Sequence, residues 1–291
     1  MKKILMLTTG GDIAGEHTDT GLVPVYTGEQ LVSMVPELRE YCELECKDIM
    51  QLDGTNVQPE DWITIAEEVY DAQEAYDGVI ITHGTDTMAY SACAVSLMVQ
   101  NLQKPVIFTG AQIAMIDPDT DGKKNLLDAV HAAVSGIPGV YVVFGGRIIR
   151  GIRAQKMYTR ALDAFHSINA GDAGYVQDGE VFLNQSVPTP VGAPVLDTRL
   201  EPKVVQLKLL PGIEPKQLES MLGMGYYGII LEAFGCGGIP NQSRNLLPCL
   251  KRAKQFGVAV LVATQCKYGN VDLGVYDVNV QAAREGAMSV Y

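Results

Sequence analysis

The sequence predicts an α/β fold whose larger part is built around a parallel β-sheet. Short aliphatic runs typical of buried strands occur at residues 4–7, 79–81, 106–108, 140–144, 229–231 and 258–262. Patterns typical of helices lie between most of them, at residues 60–75, 88–102, 126–134 and 246–255. Strands and helices that alternate in this way indicate a parallel sheet with helices on both faces.

Small and polar residues follow several of these strand-like runs. Residues 8–12 read TTGGD, residues 82–86 read THGTD, residues 109–112 read TGAQ, and residues 145–147 read GGR. In an open α/β sheet, ligands bind at the carboxyl ends of the strands. The run at 79–81, followed by Gly84, Thr85 and Asp86, therefore predicts a crevice that receives a hydroxyl and a carboxylate.

Length and composition exclude several classes of protein. The 291 residues are 47% hydrophobic and 19% charged, which is typical of a globular chain with a sizeable core. The net charge of -12 disfavours a nucleic-acid partner, and no apolar run approaches the roughly 20 residues of a membrane span. We read residues 1–12 as a first buried strand rather than a signal peptide. The six scattered cysteines are expected to be reduced thiols of a cytoplasmic protein.

The chain changes character between residues 187 and 202, where prolines are frequent and no helical period is present. We therefore expect a first domain at residues 1–186, an extended linker at 187–202, and a smaller α/β domain at 203–291. Residues 287–290 form a strand-like run directly before the last residue. A parallel α/β domain rarely stops there, so the smaller domain is expected to be incomplete.

Several motifs and alternatives bear on function. The nucleotide motifs G-x-G-x-x-G and G-x-x-x-x-G-K-[ST] are missing, as are H-E-x-x-H and paired C-x-x-C, so we expect no cofactor and no metal.

Asp86 and Thr87 have an alternative role as a helix cap. A basic series at spacing near three has an alternative role as a solvated helix face. Its members are Arg147, Arg150, Arg153, Lys156 and Arg160.

Three longer motifs are recognisable. They read TGGDIAG at residues 9–15, HGTDTM at 83–88, and GIRAQK at 151–156. Matching text also occurs as PEDW at 59–62, KPV at 104–106, TGAQ at 109–112, DG at 121–122 and TQC at 264–266. Together these motifs resemble the bacterial L-asparaginase family, in particular its cytoplasmic type I branch. The resemblance covers nearly the whole chain.

The resemblance implies a large flavodoxin-like domain, a smaller Rossmann-like α/β domain, and assembly as a homodimer or homotetramer. It also implies hydrolysis of the side-chain amide of asparagine, or of a similar small amide or amino-acid substrate, without metal or cofactor. In the family, a threonine after the first strand attacks the amide. A second threonine, the aspartate beside it and a later lysine manage the proton, and these map onto Thr85, Asp86 and Lys156. Asp86 also receives the substrate's amino group.

This sequence departs from the family pattern at three places. Asp12 stands at the position of the attacking threonine, and Leu22 stands at the position of a tyrosine in a flexible loop. Gly54 stands where the family has a serine that holds the substrate's carboxylate. Tyr26 lies near Leu22 and Thr55 follows Gly54, so these two residues are candidate substitutes. The predicted substrate-binding set is Gly11, Tyr26, Gly54, Thr55, Thr85, Asp86 and Ala111.

Asp12 is unsuited to ordinary nucleophilic attack, because a carboxylate that expels an amine forms a high-energy anhydride. A carboxylate can instead act as the general base for a water molecule. Its charge also repels a substrate carboxylate, by about 4 kcal/mol at roughly 4 Å and an effective dielectric near 20. We therefore expect asparagine itself to be a poor substrate.

The leading hypothesis is an amidohydrolase acting on a small amide, with Asp12, Thr85, Asp86 and Lys156 as catalytic residues. One alternative is a ligand-binding pseudo-enzyme that has lost turnover. Another is a divergent enzyme that uses Asp12 and Asp86 as paired carboxylates with Lys156 between them. A further alternative is an otherwise ordinary asparaginase into which Asp12 was introduced deliberately.

Overall fold

A computed structural model of the chain describes residues 1–184, 187 and 189–289. Its contacts divide the chain into two compact units, Met1–Arg199 and Leu200–Tyr291. Ser186 and Pro188, at the predicted junction of first domain and linker, lie outside the described residues. Val290 and Tyr291, in the predicted smaller domain, also lie outside them. The bounds of domains and linker stay a prediction.

The larger unit contains the following elements among its described residues. Its strands are β1 (Lys3–Gly10), β2 (Gly15–Thr18), β3 (Gly21–Pro24), β4 (Glu43–Leu52), β5 (Gly78–Thr82), β6 (Val99–Gln100), β7 (Pro105–Thr109), β8 (Gly139–Phe144), β9 (Arg147–Arg150), β10 (Ala154–Lys156), β11 (Phe165–Ser167), β12 (Gly174–Gln177), β13 (Glu180–Leu183) and β14 (Val195–Leu196). Its α-helices are α1 (Gly28–Ser33), α2 (Leu38–Tyr41), α3 (Pro59–Ala75), α4 (Met88–Met98) and α5 (Gly122–Ser135). Short 3₁₀ turns lie at Asp12–Ala14, Gly54–Asn56 and Gly151–Arg153.

The main sheet of this unit has the strand order β13-β12-β9-β8-β7-β5-β1-β4. Its parallel part reads β4-β1-β5-β7-β8, which is the 2-1-3-4-5 order of flavodoxin-like folds. The central strand β5 is buried along its whole length, as expected for a strand covered on both faces. The predicted flavodoxin-like architecture is therefore confirmed.

The smaller unit is a second parallel α/β structure. Its elements are β15 (Val204–Lys208), α6 (Pro215–Gly223), β16 (Gly228–Ala233), α7 (Leu247–Gln255), β17 (Ala259–Thr264), α8 (Asp277–Arg284) and β18 (Ala287–Ser289). The four strands pair in parallel in the order in which they occur along the chain. The unit has its own buried core, which includes Leu231, Leu250 and Val262. The predicted smaller α/β domain is confirmed as to its fold class.

The predicted helix at residues 88–102 is too long. Helix α4 ends at Met98, and the next two residues form β6, which pairs antiparallel with β14. Strand β14 lies inside the predicted linker of residues 187–202. Sequence periodicity could not predict this pairing, because the partner of β6 lies far away along the chain.

One edge of the main sheet is antiparallel, which the sequence analysis did not predict. Strand β9 is antiparallel to β8, and β12 and β13 continue the antiparallel edge. Gly145 and Gly146 have φ angles of 57° and 81°, so they form the tight turn of the β8–β9 hairpin. The basic series from Arg147 to Lys156 lies on two short strands and a 3₁₀ turn. The helix-face alternative is therefore wrong.

The order of the parallel strands reverses between β1 and β5, because β4 adds on one side and β7 on the other. This is the switch point where open α/β sheets bind ligands. Three glycines meet there, and we call Gly11, Gly54 and Gly84 the glycine junction. A Cβ added to Gly11 lies 2.3 Å from the Gly84 nitrogen, and one added to Gly84 lies 2.6 Å from the Gly54 Cα. The ends of β1, β4 and β5 are thus in backbone contact.

We expect Gly84→Ala to lower the free energy of unfolding by about 1–3 kcal/mol, because the added methyl group overpacks the junction. The measurement is urea denaturation of purified protein. Gly223→Ala is the control, because a Cβ there meets nothing within 4 Å. Its effect should stay within about 0.5 kcal/mol. Equal effects of the two substitutions would contradict a tight junction.

Candidate active site

The glycine junction places polar residues at the switch point. Each junction glycine has a polar neighbour in the chain. These neighbours are Asp12 after Gly11, Asp53 before Gly54, and Thr85 after Gly84. Because the three backbones touch, the side chains that leave the junction belong to one small region at the carboxyl ends of the strands.

Lys156 comes to this region from β10. Its Nζ donates hydrogen bonds to Thr85 Oγ1 over 2.8 Å and to Asp86 Oδ1 over 2.7 Å. The Lys156 side chain is only 16% exposed, whereas that of Asp86 is 57% exposed. The three residues that the family resemblance assigned to proton transfer are therefore bonded to one another.

Gln112 determines the direction of the hydrogen bond between Lys156 and Thr85. The Gln112 Nε2 donates to the carbonyl oxygens of Thr159 and Ala161 over 3.2 and 3.1 Å, so its Oε1 faces Thr85. An amide oxygen carries no hydrogen, so the Thr85 hydroxyl donates to it over 3.1 Å. The hydroxyl proton is thus committed to Gln112, and Lys156 is the donor to Thr85.

Two further side chains hold the loop that carries Gln112. The Asp121 carboxylate accepts hydrogen bonds from the backbone N–H groups of Gln112 and Ile113, each with a 3.0 Å contact. It also accepts from Asn125 Nδ2 over 3.0 Å. Asn125 is buried and donates to the Gly110 carbonyl as well. This network fixes the position from which Gln112 orients Thr85.

Asp12 begins the 3₁₀ turn after Gly11 and is half-buried. Burial raises the pKa of its carboxyl above the usual value, and the charges of Asp53, Asp86 and Asp121 raise it further. The Lys156 ammonium acts in the opposite direction. A carboxylate with a raised pKa is a stronger proton acceptor, which suits a general base.

Asp53 and the residues around Gly54 form a compact turn. Asp53 Oδ1 accepts from the Thr55 backbone N–H over 2.8 Å and from the Thr55 hydroxyl over 2.5 Å. Thr87 Oγ1 donates to the Gly54 carbonyl over 2.5 Å. Thr87 is the N-cap residue of α4, but its side chain makes no capping bond. Thr87 therefore occupies the predicted cap position without a capping bond, and Asp86 binds Lys156 instead.

Ala111, Tyr26 and Leu22 differ in their surroundings. Ala111 is fully buried, so its side chain belongs to the core of the larger unit. Tyr26 is half-buried and lines an open groove of about 270 Å³ that it shares with Thr8 and Asp48. Leu22, on β3, lies next to Gly15, where an added Cβ would meet the leucine Cγ at 2.6 Å.

His83 is a further polar residue of the site that the sequence motifs gave no role. It is fully buried, and burial lowers its pKa to about 4, so its ring is neutral near pH 7. Its Nδ1 donates to the Gly84 carbonyl, and its Nε2 accepts from the Ser91 hydroxyl, both over 2.8 Å. His83 therefore ties the junction loop to helix α4. Its position in the HGTDTM motif was the available signal.

Comparison with known proteins decides the family. The model of the N-terminal asparaginase domain matches residues 3–189, and that of the glutaminase/asparaginase C-terminal domain matches residues 203–291. The chain belongs to the asparaginase family. It is an asparaginase-like amidohydrolase, and the predicted family is confirmed.

Individual asparaginase-family relatives agree with this assignment. The chain is 39% identical over 287 residues to an L-asparaginase of Thermococcus kodakarensis, covering 98% of this chain and 87% of that protein. The solved structure of a thermostable L-asparaginase from that organism superposes with a TM-score of 0.93 at 38% identity, covering 98% and 87% of the two chains. A subunit of the glutamyl-tRNA(Gln) amidotransferase of Pyrococcus abyssi is 35% identical over 301 residues, covering 99% of this chain and 68% of that protein.

The described part of the chain holds neither a metal-binding cluster nor a membrane-spanning helix. Within residues 1–184, 187 and 189–289, no group of three or more His, Cys, Asp or Glu side chains is arranged to hold a metal ion. No helix within those residues has both the length and the apolar character of a membrane span. The six cysteines are free thiols.

We expect Asp12→Asn to stabilise this asparaginase-family protein at pH 7. The raised pKa means that ionised Asp12 destabilises the folded state, whereas protonated Asp12 does not. The gain should be on the order of 1 kcal/mol at pH 7 and should shrink towards zero as the pH falls below about 4. Urea denaturation across that pH range measures it. Asp19→Asn, at an exposed carboxylate, is the control. A loss of stability that is equal at every pH would contradict the assigned cause.

Proposed function

We propose that this chain hydrolyses a small primary amide by direct attack of water, with Asp12 as the general base. The supporting observation is the direction of the hydrogen bonds at Thr85. Lys156 donates to Thr85, and Thr85 donates to Gln112. The ammonium group is thus held as a proton donor, and the role of the base is left to another group.

The reaction begins when Asp12 takes a proton from water and the water oxygen bonds to the amide carbon. The carbonyl π bond breaks, and the oxygen carries a negative charge. Lys156 then gives a proton to the amide nitrogen, while Thr85 keeps its hydrogen bond to Gln112, and the carbonyl double bond re-forms. The carbon–nitrogen bond breaks and ammonia leaves. Asp12 returns its proton through solvent, Lys156 regains one, and the products are a carboxylate and an ammonium ion.

Covalent catalysis by the side chains of the site fits these contacts poorly. Attack by Thr85 requires a base for its proton, and its described partners are an ammonium donor and an amide oxygen. Attack by Asp12 leads to an anhydride. Water supplies the oxygen without either difficulty, so one-step hydrolysis is the proposed route.

We also propose the branch of the family, the location, the assembly and the domain bounds of this chain. Asp12 takes the position of the family's attacking threonine, and the chain is placed nearest the type I branch. A cytoplasmic location, a homodimer or homotetramer, and domains at residues 1–186 and 203–291 joined by 187–202 are proposed on the same sequence grounds. The names of the relatives, an L-asparaginase and an amidotransferase subunit, favour a side-chain amide as the bond that is cleaved.

We expect Lys156→Met to reduce kcat/KM for ammonia release by at least about 100-fold, since one positioned proton donor typically contributes 10²- to 10⁴-fold. A coupled ammonia assay on a panel of small primary amides measures the rate. Lys124→Met is the matched control, because Lys124 is an exposed lysine that also binds an aspartate. A chain that is stabilised by amides but releases no ammonia from any of them is a binding protein, and that result would reject the proposed hydrolysis.

We expect Gln112→Met to lower kcat about tenfold while KM changes little, because Thr85 loses the acceptor that fixes its proton. A tenfold loss corresponds to about 1.4 kcal/mol of the activation barrier. Gln103→Met is the control, since Gln103 also donates to two backbone carbonyls. A rise in KM with unchanged kcat would assign Gln112 to substrate binding instead.

A further inference from the structure

The charges of the site are unbalanced. Four carboxylates act on the region where Asp12 lies, and one ammonium group opposes them. The carboxylates are Asp12, Asp53, Asp86 and Asp121, and the ammonium group is that of Lys156. Asp12 adjoins Gly11 and Asp53 adjoins Gly54, and both glycines pack against Gly84, so the two carboxylates belong to one region by geometry as well as by electrostatics.

The ammonium group is already occupied. Lys156 Nζ bonds both Asp86 Oδ1 and Thr85 Oγ1 within 2.8 Å. An ammonium has three donors, and two are used here. A substrate carboxylate that bound Lys156 would have to share it with Asp86, and the two anions would repel each other.

Several backbone donors at the same sheet edge are also committed. The N–H group of Gly11 donates to the Leu52 carbonyl over 2.8 Å. The N–H group of Thr55 donates to Asp53, and that of Ile113 donates to Asp121. Gly54 offers no side-chain donor, and the Thr55 hydroxyl donates to Asp53. These groups bind a carbonyl and two carboxylates of the protein itself rather than a bound anion.

From these contacts we infer that the substrate is a primary amide that carries a cationic amino group and has no free carboxylate. This inference rests on the proposed amide hydrolysis and specifies its substrate class. The exposed Asp86 and the nearby Asp53 attract an ammonium group, whereas each carboxylate left uncompensated lowers the affinity for an anion by about tenfold. Amino amides and peptides with an amidated or blocked carboxyl group belong to this class.

A matched set of three amides tests the class. 3-Aminopropanamide is asparagine without its carboxylate, and succinamate is asparagine without its amino group. The assay compares ammonia release from these two compounds and from asparagine with the whole chain. We expect kcat/KM for 3-aminopropanamide to exceed that for asparagine at least tenfold, with succinamate the poorest. A smaller ratio, or a preference for succinamate, overturns the substrate class.

The variant Asp53→Asn tests the origin of the preference. The amide side chain that this variant carries keeps an oxygen that can accept hydrogen bonds from Thr55. The turn at Gly54 is therefore preserved while one charge is removed. We expect the ratio of kcat/KM for 3-aminopropanamide to that for asparagine to fall about fivefold. Asp19→Asn, in the exposed β2–β3 hairpin, should leave this ratio unchanged. An unchanged ratio in Asp53→Asn overturns the electrostatic explanation.

Failure of hydrolysis and failure of the substrate class give different results. If none of the three compounds releases ammonia, the proposed hydrolysis is rejected. Thermal shift with the same compounds then tests which chemical class of ligand the site binds. Stabilisation by 3-aminopropanamide and not by succinamate supports a site for cationic amides, because a ligand that binds the folded state raises its stability. Stabilisation by succinamate, or by neither compound, overturns it.

Discussion

The close backbone contact among Gly11, Gly54 and Gly84 is the constraint on which the rest of the site depends. No residue with a Cβ fits at Gly11 or Gly84, since the added atom would lie 2.3 to 2.6 Å from another backbone. The contact joins the ends of three neighbouring parallel strands at the switch point of the sheet. It thereby fixes where Asp12, Thr85 and Asp86 leave the backbone. Side-chain chemistry at these positions can change while their relative placement stays the same.

A chain of hydrogen bonds orients the polar side chains of the site and fixes which group is the donor in each pair. Asn125 and Asp121 hold the loop of Gln112. Gln112 accepts a hydrogen bond from the Thr85 hydroxyl, and Thr85 accepts one from Lys156. Each bond in this chain has only one possible donor, because a carboxylate or an amide oxygen can only accept and an ammonium can only donate. The direction of proton donation is therefore set by groups that do not themselves touch Lys156. His83 contributes in the same way, since its neutral ring holds the Gly84 carbonyl.

Sequence patterns predicted the layers of the fold well, because an aliphatic run such as residues 79–81 has few options other than a buried strand. They also predicted that Thr85 and Asp86 follow that strand, and the family motif added Lys156, which lies 70 residues after Asp86. The sequence patterns did not predict the pairing of strands that are distant in sequence. Strand β6 follows helix α4 directly and pairs with the distant β14, and the antiparallel β9 follows a turn at Gly145 and Gly146. Gln112 and Asp53 were missed as site residues, because their roles arise from contacts that no local spacing reveals.

The role proposed for Asp12 follows from the hydrogen bonds of Lys156. A threonine at this position would need a base, and Lys156 is a poor candidate for that base while it donates to both Thr85 and Asp86. In the proposed mechanism, Asp12 supplies the base directly, and water provides the oxygen that attacks. Asp12 also adds a negative charge beside Asp53 and Asp86, and its pKa is raised by burial first and by the repulsion from these carboxylates second. Asp12 therefore bears on both the proposed chemistry and the proposed charge of the substrate, so the two proposals are physically coupled.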